Sequence, residues 1–159
     1  MAQISDGSFF EQVSTAFHAH DPDASAKRRE AAHVRSIQLL YHAVARGAFA
    51  EALDLATDDF TLEIVGPPQS PFSGKWQGRS DVLAAMERNF GLVEDQRPTV
   101  QSVVAQGDMV IVTAREEGRV RATGTTYSVQ WMQEFSFADG KMKRVRELID
   151  GSADFGPDF

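Results

Sequence analysis

The sequence contains no cysteine, which excludes disulfide bonds and thiolate chemistry and is compatible with a reducing compartment. It also lacks a basic excess, since 16 lysines and arginines stand against 23 acidic residues, a formal net charge of −7. Because phosphate binding needs a basic stripe, we do not expect nucleic acid as the main partner. No apolar run approaches the roughly 20 residues that span a bilayer. The first residues lack the basic and then apolar order of a secretory signal. These absences predict a cytoplasmic protein.

Several catalytic signatures are absent as well. The chain contains no H-E-x-x-H motif, no glycine-rich phosphate loop and no G-x-S-x-G nucleophile elbow. We therefore predict no cofactor and no metal site. What remains is a chain of 159 residues, 42% apolar and 25% charged, which fits one domain that buries roughly two-thirds of its unfolded surface.

The clearest pattern is an alternating stretch at residues 129–150. Its first part, residues 129–137, places five side chains on one face, and these are Val129, Trp131, Gln133, Phe135 and Phe137. A period of two predicts a strand with one buried face. The Asp139-Gly140 pair that follows tolerates the positive φ angles of a hairpin turn.

The second part, residues 142–150, alternates in the same way. Val145, Glu147 and Ile149 share one side, while Arg144, Arg146 and Leu148 share the other. A glutamate is thus in line with two aliphatic residues, as Gln133 is in line with aromatic ones. Polar groups on the apolar faces of paired strands favour a lined cavity over a plain core.

The rest of the chain predicts helices first and strands later. Helical spacing of apolar residues predicts helices over residues 8–20, 24–45, 49–55 and 80–91, the last one capped by Ser80. Strands are predicted over residues 60–65, 99–105, 109–116 and 119–127. Because the strands are joined by hairpin-length connections, this order predicts an α+β fold with helices on one face of a strongly bent sheet.

A loop is predicted over residues 66–78, which hold three prolines and three glycines. Its large apolar side chains are Phe72 and Trp76. They either close the mouth of a pocket or tuck under the loop and anchor it, and the sequence leaves both open.

Four segments together resemble a known superfamily. They are RGAFAEALDLATDDFTLE at residues 46–63, the loop that ends in Gly78-Arg79-Ser80, the helix over residues 82–90, and DGKM followed by RELID at residues 146–150. Their order and spacing resemble the nuclear transport factor 2-like superfamily, in the style of SnoaL-type polyketide cyclases and ketosteroid isomerases. The resemblance covers residues 34–150.

The resemblance implies an α+β fold in which a cone-shaped, curved mixed sheet (cystatin-like) wraps three helices around an apolar pocket. It also implies a homodimer formed through the outer face of the sheet. On this basis we divide the chain into an N-terminal helical extension, residues 1–33, and a SnoaL-like domain, residues 34–159, within one globular unit.

Ketosteroid isomerases need a carboxylate base, a tyrosine and a protonated aspartate. The resemblance places Ile64, Leu40 and Gln133 at these three positions, and all three differ from the required residue. Tyr41 and Glu63 are one residue away, where a helical side chain is turned by about 100° and a strand side chain faces the other side. Steroid isomerisation by that mechanism is therefore not expected.

Three residues are candidates for chemistry. Glu147, if it faces an apolar cavity, becomes a general acid or base near neutral pH; the alternatives are exposure or an ion pair with Arg115 or Arg119. Gln133 either donates to a ligand carbonyl or enolate or makes a structural hydrogen bond. Tyr41 either offers a phenolic donor or is an ordinary core tyrosine. The predicted apolar walls are Leu40, Ile64, Trp76, Met86, Phe90, Trp131, Phe135, Val145 and Ile149.

Three functions follow as hypotheses. The first is a small-molecule-binding protein that runs cofactor-independent acid–base chemistry, such as isomerisation, cyclisation or dehydration, on an apolar or polyketide-like carbonyl compound. The second is a non-catalytic ligand-binding or dimerisation module. The third, an epoxide hydrolase-like activity, needs an arginine between two carboxylates, and the alternation turns Arg146 the other way. The environment of Glu147 separates the first two.

Overall fold

The computed structural model describes residues 24–150 and residue 155. The helices of this part are α1 (Ala24–Ala45), α2 (Phe49–Leu53) and α3 (Arg79–Gly91). Its strands are β1 (Ala56–Val65), β2 (Gly74–Gln77), β3 (Val93–Gln106), β4 (Met109–Val120), β5 (Thr126–Ala138) and β6 (Lys141–Ile149). The helix predicted over residues 8–20 lies outside the described residues.

The strands form one sheet in the order β2-β1-β6-β5-β4-β3. Strands β1 and β6 run parallel, and the other neighbouring pairs are antiparallel. The sheet is curved, mixed and unclosed, and the helices pack against it. The predicted α+β architecture, a curved mixed sheet around three helices, is confirmed. We call the side that carries Val112, Phe135 and Val145 and packs against the helices the inner face, and the opposite side the outer face.

Helix α1 packs through a stripe of residues three and four positions apart. His33, Ile37, Leu40 and Ala43 are its buried residues, as a period of 3.6 requires. Gly47, with φ of 72°, follows its end, where a left-handed residue commonly closes a helix. The division proposed between residues 33 and 34 falls inside this continuous helix, and the domain boundaries stay a prediction.

The hairpin of β5 and β6 has the predicted turn. Asp139 and Gly140 have φ of 49° and 78°, and positive φ at both central residues is what a type I′ turn requires. Beyond the turn, Phe135 pairs with Val145 and Trp131 pairs with Ile149. The predicted alternation is therefore confirmed over residues 129–136 and 144–149, while a register shift between Ser136 and Phe137 interrupts it near the turn, where Met142 is also buried.

Two boundaries in the first half differ from the prediction. Strand β1 begins at Ala56 rather than at residue 60, and α2 ends at Leu53 rather than at residue 55, because Ala56 pairs with Met142 of β6. The predicted loop over residues 66–78 contains β2, in which Trp76 pairs with Leu62 of β1. Backbone hydrogen bonds to distant segments draw both pieces into the sheet.

Other differences lie at turns and at the sheet edge. The strand predicted over residues 119–127 is interrupted by a turn in which the Val120 amide donates to the carbonyl of Thr125 over 2.8 Å. Strand β3 begins at Val93 rather than at residue 99, since an edge strand tolerates Pro98. The N-cap of α3 is Gly78, with φ of 88°, rather than Ser80.

The buried side chains form two clusters. The larger one lies between the helices and the inner face and includes the fully buried Phe135, Leu53 and Met142. The second cluster consists of Val93, Val120, Tyr127, Val129 and Phe155. Trp131 of β5 is partly buried and packs against both clusters, so it joins them.

Candidate functional site

A hydrogen-bonded chain of three side chains joins α1 to the inner face of the sheet. The hydroxyl of Tyr41 donates to Oε1 of Gln133 over 2.7 Å. Nε2 of Gln133 donates to Oε2 of Glu147 over 2.6 Å. The structure therefore brings together the three residues that the sequence nominated for chemistry, although their catalytic roles stay a prediction.

Strand register explains the position of the two polar sheet residues. Gln133 and Glu147 are partners across β5 and β6. On the next strands of the same row, Val112 of β4 pairs with Gln133 and Ile64 of β1 pairs with Glu147. Val112 is 0% exposed and Ile64 is 8% exposed. An amide and a carboxyl group thus occupy the middle of an otherwise apolar row.

The carboxyl group of Glu147 is partly buried, and desolvation raises its pKa from 4.5 to about 7. The hydrogen bond from Gln133 lowers this pKa, and the negative charge of Glu116 raises it. Near neutral pH both protonation states are therefore populated, so the group can accept and return a proton. Desolvation and then the charge of Glu147 raise the pKa of Tyr41, which keeps its phenol protonated.

Within the described residues, no arginine or lysine forms an ion pair with Glu147. Arg115 is 3.6 Å from Glu117, and Arg119 is 2.9 Å from Glu94. The ion pair with Arg115 or Arg119, one of the alternatives left open by the sequence, is therefore not formed. The carboxyl group of Glu147 accepts a hydrogen bond from the Gln133 amide instead.

Arg146 lies on the outer face. Its Nε is 3.5 Å from Glu63, which also accepts a hydrogen bond of 2.8 Å from Arg144. The Arg144 hydrogen bond and the nearby cations lower the pKa of Glu63. Arg146 therefore does not approach Glu147, and the arginine that an epoxide hydrolase-like site would need is not supplied by this residue.

The apolar residues predicted as pocket walls fall into several groups. In or against the larger cluster lie Leu40, Trp76, Met86, Trp131, Phe135 and Val145. Ile149 packs against the second cluster, and Ile64 is the β1 partner of Glu147. Phe90 stacks on Phe49 of α2 with ring centroids 5.0 Å apart, which fastens α3 to α2. Whether these residues contact a ligand stays a prediction.

The two aromatic residues of segment 66–78 are both packed. Phe72 meets Phe155 edge to face with ring centroids 5.2 Å apart. The ring of Trp76 lies against Gly74, where an added Cβ would be 2.6 Å from ring atoms. These contacts anchor the segment, which was one of the two interpretations left open by the sequence.

Sequence reasoning missed Glu116 of β4. Its Oε1 accepts hydrogen bonds from the hydroxyl of Tyr127 (2.7 Å) and from Nε2 of Gln96 (3.0 Å), and its Oε2 accepts one from Nε1 of Trp131 (3.3 Å). The alternation of the strand could have indicated that Glu116 faces inward. It is two residues beyond the fully buried Ala114 and therefore lies on the same face.

His33 was also missed. It is 3% exposed, its ring stacks on Phe137 with centroids 4.0 Å apart, and its Nε2 is 3.1 Å from Oδ1 of Asp108. On the same helix, Glu30 accepts a hydrogen bond of 2.8 Å from the Gly107 amide. These contacts fasten α1 to the turn between β3 and β4. The sequence signal for His33 was its spacing, since it is four residues before Ile37 on the buried stripe of α1.

Residues 24–150 and 155 contain neither a metal-binding cluster nor a membrane-spanning helix. No group of three or more histidine, cysteine, aspartate or glutamate side chains there could hold a metal ion. No helix in the same residues is long and apolar enough to cross a membrane.

Comparison with known proteins places this geometry among related folds. Residues 37–145 match the family model of the SnoaL-like domain. A crystal structure of an NTF2-like protein from Burkholderia xenovorans LB400 is 25% identical, with a TM-score of 0.68 over 78% of this chain and 93% of that chain. A proposed SnoaL-like polyketide cyclase from Jannaschia sp. CCS1 is 19% identical, with a TM-score of 0.68 over 82% and 91%. TerC, co-crystallised with polyporic acid, is 20% identical, with a TM-score of 0.63 over 75% and 92%. No curated protein matches the chain.

Proposed function

The chain belongs to the SnoaL-like domain family, and from this premise we propose that it binds an apolar carbonyl compound on the inner face and moves protons on it through Glu147. One observation carries the proposal: a partly buried glutamate whose pKa is raised to about 7 and whose hydrogen-bond partner is the amide of Gln133. A purely structural carboxylate is usually paired with a cation or solvated. This one has neither an arginine nor a lysine partner within the described residues.

From their hydrogen bonds, we propose different roles for Tyr41, Gln133 and Glu147. Gln133 uses its carbonyl for Tyr41 and its amide nitrogen for Glu147, so it acts as a positioning residue rather than as the main donor to a ligand. The phenolic proton of Tyr41 is directed at Gln133, which leaves the hydroxyl oxygen to accept from a ligand. Glu147 alone is left to transfer protons.

The proposed proton transfer returns Glu147 to its starting protonation state. As a carboxylate, Glu147 takes a proton from the carbon next to a carbonyl group, and the electron pair of that C–H bond passes into the enolate. As a carboxylic acid, it returns the proton to the same or to another carbon, so the enzyme ends as it began. A pKa near the operating pH is suited to both steps. Isomerisation, cyclisation and dehydration of carbonyl compounds all begin with this abstraction.

Two relatives support the ligand class. One is a proposed polyketide cyclase, and the other was crystallised with polyporic acid, and both share the fold of this chain. The apolar surroundings of Gln133 and Glu147 support the same class, because Phe135, Val145 and Trp131 lie in or against the larger cluster and apolar sites favour apolar ligands.

Proton exchange provides the test. α-Tetralone, a bicyclic ketone with one enolisable carbon, is incubated with the protein in D2O, and deuterium uptake is followed by NMR. The wild-type protein is expected to accelerate uptake, and Glu147→Gln is expected to lose at least about 100-fold of this acceleration. Glu134→Gln is the matched control, because Glu134 follows Gln133 on β5 and pairs with Arg146 across the sheet. Equal acceleration by wild type and Glu147→Gln would refute the catalytic role.

A non-catalytic binding module is the second candidate. It is favoured by the fact that Gln133 stands where the resemblance to ketosteroid isomerases requires an aspartate, so this position does not supply the protonated acid of those enzymes. Binding of α-tetralone without accelerated exchange would support this candidate.

We further propose a homodimer formed through the outer face. Val104 of β3 is 59% exposed, and its partner Ile111 alternates with the buried Val110 and Val112, so both face outward. Exposed aliphatic residues on a sheet face favour burial against a second copy.

A further inference from the structure

Glu116 is a second carboxyl group on the inner face, and we propose that it selects the ligand. It would bind the hydroxyl or amine end of an elongated aromatic carbonyl compound and reject compounds that carry an anionic group at that end. This inference rests on the proposed function, because Glu147 is taken to act on the carbonyl end of the same molecule.

Register places Glu116 and Glu147 at separate backbone positions on the inner face. Glu116 pairs with Val129 of β5, whereas Glu147 pairs with Gln133 of the same strand. Val129 and Gln133 are four residues apart, which corresponds to about 13 Å along a strand. Trp131 lies between them, and its indole donates to Glu116 over 3.3 Å. Trp131 thus lies between the two positions, and a separation of this length suits a molecule of two or three fused rings.

The backbone is distorted where Glu116 is held. The register of β3 and β4 shifts between Glu94 and Arg97, and Asp95 within the shift has φ of 56°. A β-bulge of this kind redirects a side chain, and here Gln96 donates to Oε1 of Glu116 over 3.0 Å. Left-handed backbone at a non-glycine residue is unfavourable and persists where the surroundings impose it.

A glycine makes room for the second donor. Gly118 is the β4 partner of Tyr127, and an added Cβ there would meet the Tyr127 hydroxyl at 2.5 Å. The ring therefore lies over Gly118 and directs its hydroxyl to Glu116 over 2.7 Å. Burial and the charge of Glu116 raise the pKa of Tyr127, so this phenol remains a donor.

The donors leave part of Glu116 available. A carboxylate offers about four acceptor positions, and three hydrogen bonds reach Glu116, two at Oε1 and one at Oε2. The remaining position is on Oε2, beside the Trp131 indole. Glu116 is only partly buried, and within residues 24–150 and 155 no lysine or arginine forms an ion pair with it. A ligand hydroxyl or ammonium group would complete its hydrogen bonding, whereas a ligand carboxylate would be repelled.

The test compares three ligands by isothermal titration calorimetry: α-tetralone itself and its derivatives with an aminomethyl or a carboxyl group para to the carbonyl. Wild-type protein is expected to bind the aminomethyl compound about tenfold or more tightly than the carboxyl compound. Glu116→Gln is expected to bring this ratio close to one. The control is Glu117→Gln, since Glu117 is exposed on the opposite side of β4.

The outcomes separate this inference from the proposed function. If all three compounds bind but Glu116→Gln retains the wild-type ratio, the selection by Glu116 is wrong while the binding function stands. If none of the compounds binds, the proposed function fails and this inference fails with it. Should Glu116→Gln not fold, Gln96→Leu replaces it: removal of one donor opens a second acceptor position, and the aminomethyl compound is expected to bind several-fold more tightly. Unchanged or weaker binding would contradict the inference.

Discussion

Gln133 and Glu147 occupy paired positions on β5 and β6 and share a hydrogen bond of 2.6 Å between Nε2 and Oε2. Among the described residues, Gln133 is the side chain that donates a hydrogen bond to Glu147. The amide therefore sets the orientation of the carboxyl group and opposes part of its desolvation. The stability and the ionisation of the site are coupled through this one contact.

The first prediction concerns pH. The pKa of Glu147 is raised from 4.5 to about 7 on folding, so between these values the folded state holds a proton that the unfolded state has released. The free energy of unfolding is then expected to fall as pH rises from about 4.5 to 7, by at most on the order of 3 kcal/mol. Urea unfolding of wild type and Glu147→Gln across this pH range measures the effect.

The Glu147→Gln variant is expected to lose this component of the pH dependence and to be more stable than wild type at pH 8. Glu134→Gln serves as the control and is expected to keep the wild-type slope. Carboxylate-edited NMR gives the pKa directly, and a value for Glu147 at or below the ordinary 4.3 to 4.5 would show that the group is solvated or paired.

The second prediction concerns the coupling of Tyr41, Gln133 and Glu147. Gln133→Leu removes the partner of both other residues and is expected to destabilise the protein by about 1–3 kcal/mol. It is also expected to raise the pKa of Glu147 further, because the lost hydrogen bond lowers that pKa. Tyr41→Phe removes the hydroxyl that reaches Gln133. A double-mutant cycle with these two variants, measured by urea unfolding, is expected to show a coupling of about 0.5 kcal/mol or more; strict additivity would argue against the contact.

The third prediction concerns Gly118. Its replacement by alanine would force Tyr127 to move, since the new Cβ would lie 2.5 to 2.8 Å from three atoms of that side chain. We expect a loss of about 1–3 kcal/mol in stability. Gly91→Ala is a matched control because nothing lies within 4 Å of its added Cβ. Thermal unfolding of both variants provides the comparison, and a Gly118→Ala variant as stable as Gly91→Ala would show that Tyr127 is free to shift.

The fourth prediction concerns the proposed dimer. Val104→Lys places a charge on the outer face at a residue that is 59% exposed. If two copies bury this face, the charge is desolvated and the dimer dissociates. Sedimentation equilibrium is expected to give a dimer mass for wild type and a monomer mass for the variant. Leu39→Lys, on the exposed side of α1 (53% exposed), is the control, and a wild-type monomer would refute the proposal.

The inner-face positions of Gln133 and Glu147 could be predicted from the sequence because the side chains of a strand alternate whatever its partners are. The Asp139-Gly140 turn could be predicted as well, since it depends on the φ preferences of two adjacent residues. Strand β2 could not, because Trp76 joins the sheet through pairing with Leu62, fourteen positions earlier in the chain. Composition indicated a loop there, and tertiary pairing overrode it.

Tyr41 likewise shows that a local sequence pattern does not predict a contact between a helix and a distant strand. Alignment to the isomerase pattern placed it one residue away from the required position, which argued against the isomerase role, and the sequence left open whether it is a donor in the site or an ordinary core tyrosine. Its hydroxyl nevertheless reaches Gln133, 92 positions later in the chain. The path of α1 over the curved sheet decides this contact, and a local pattern carries no information on that path.

The sequence by itself therefore determined the α+β class, the faces of the strands and the residue types available for proton transfer. All of these depend on local periodicity, on turn chemistry and on composition. Only the tertiary structure decided that Glu147 meets an amide rather than an arginine, and that Glu116 lies on the same face with three donors around it. The physical reason is that desolvation and hydrogen bonding depend on which distant strands and helices enclose a group.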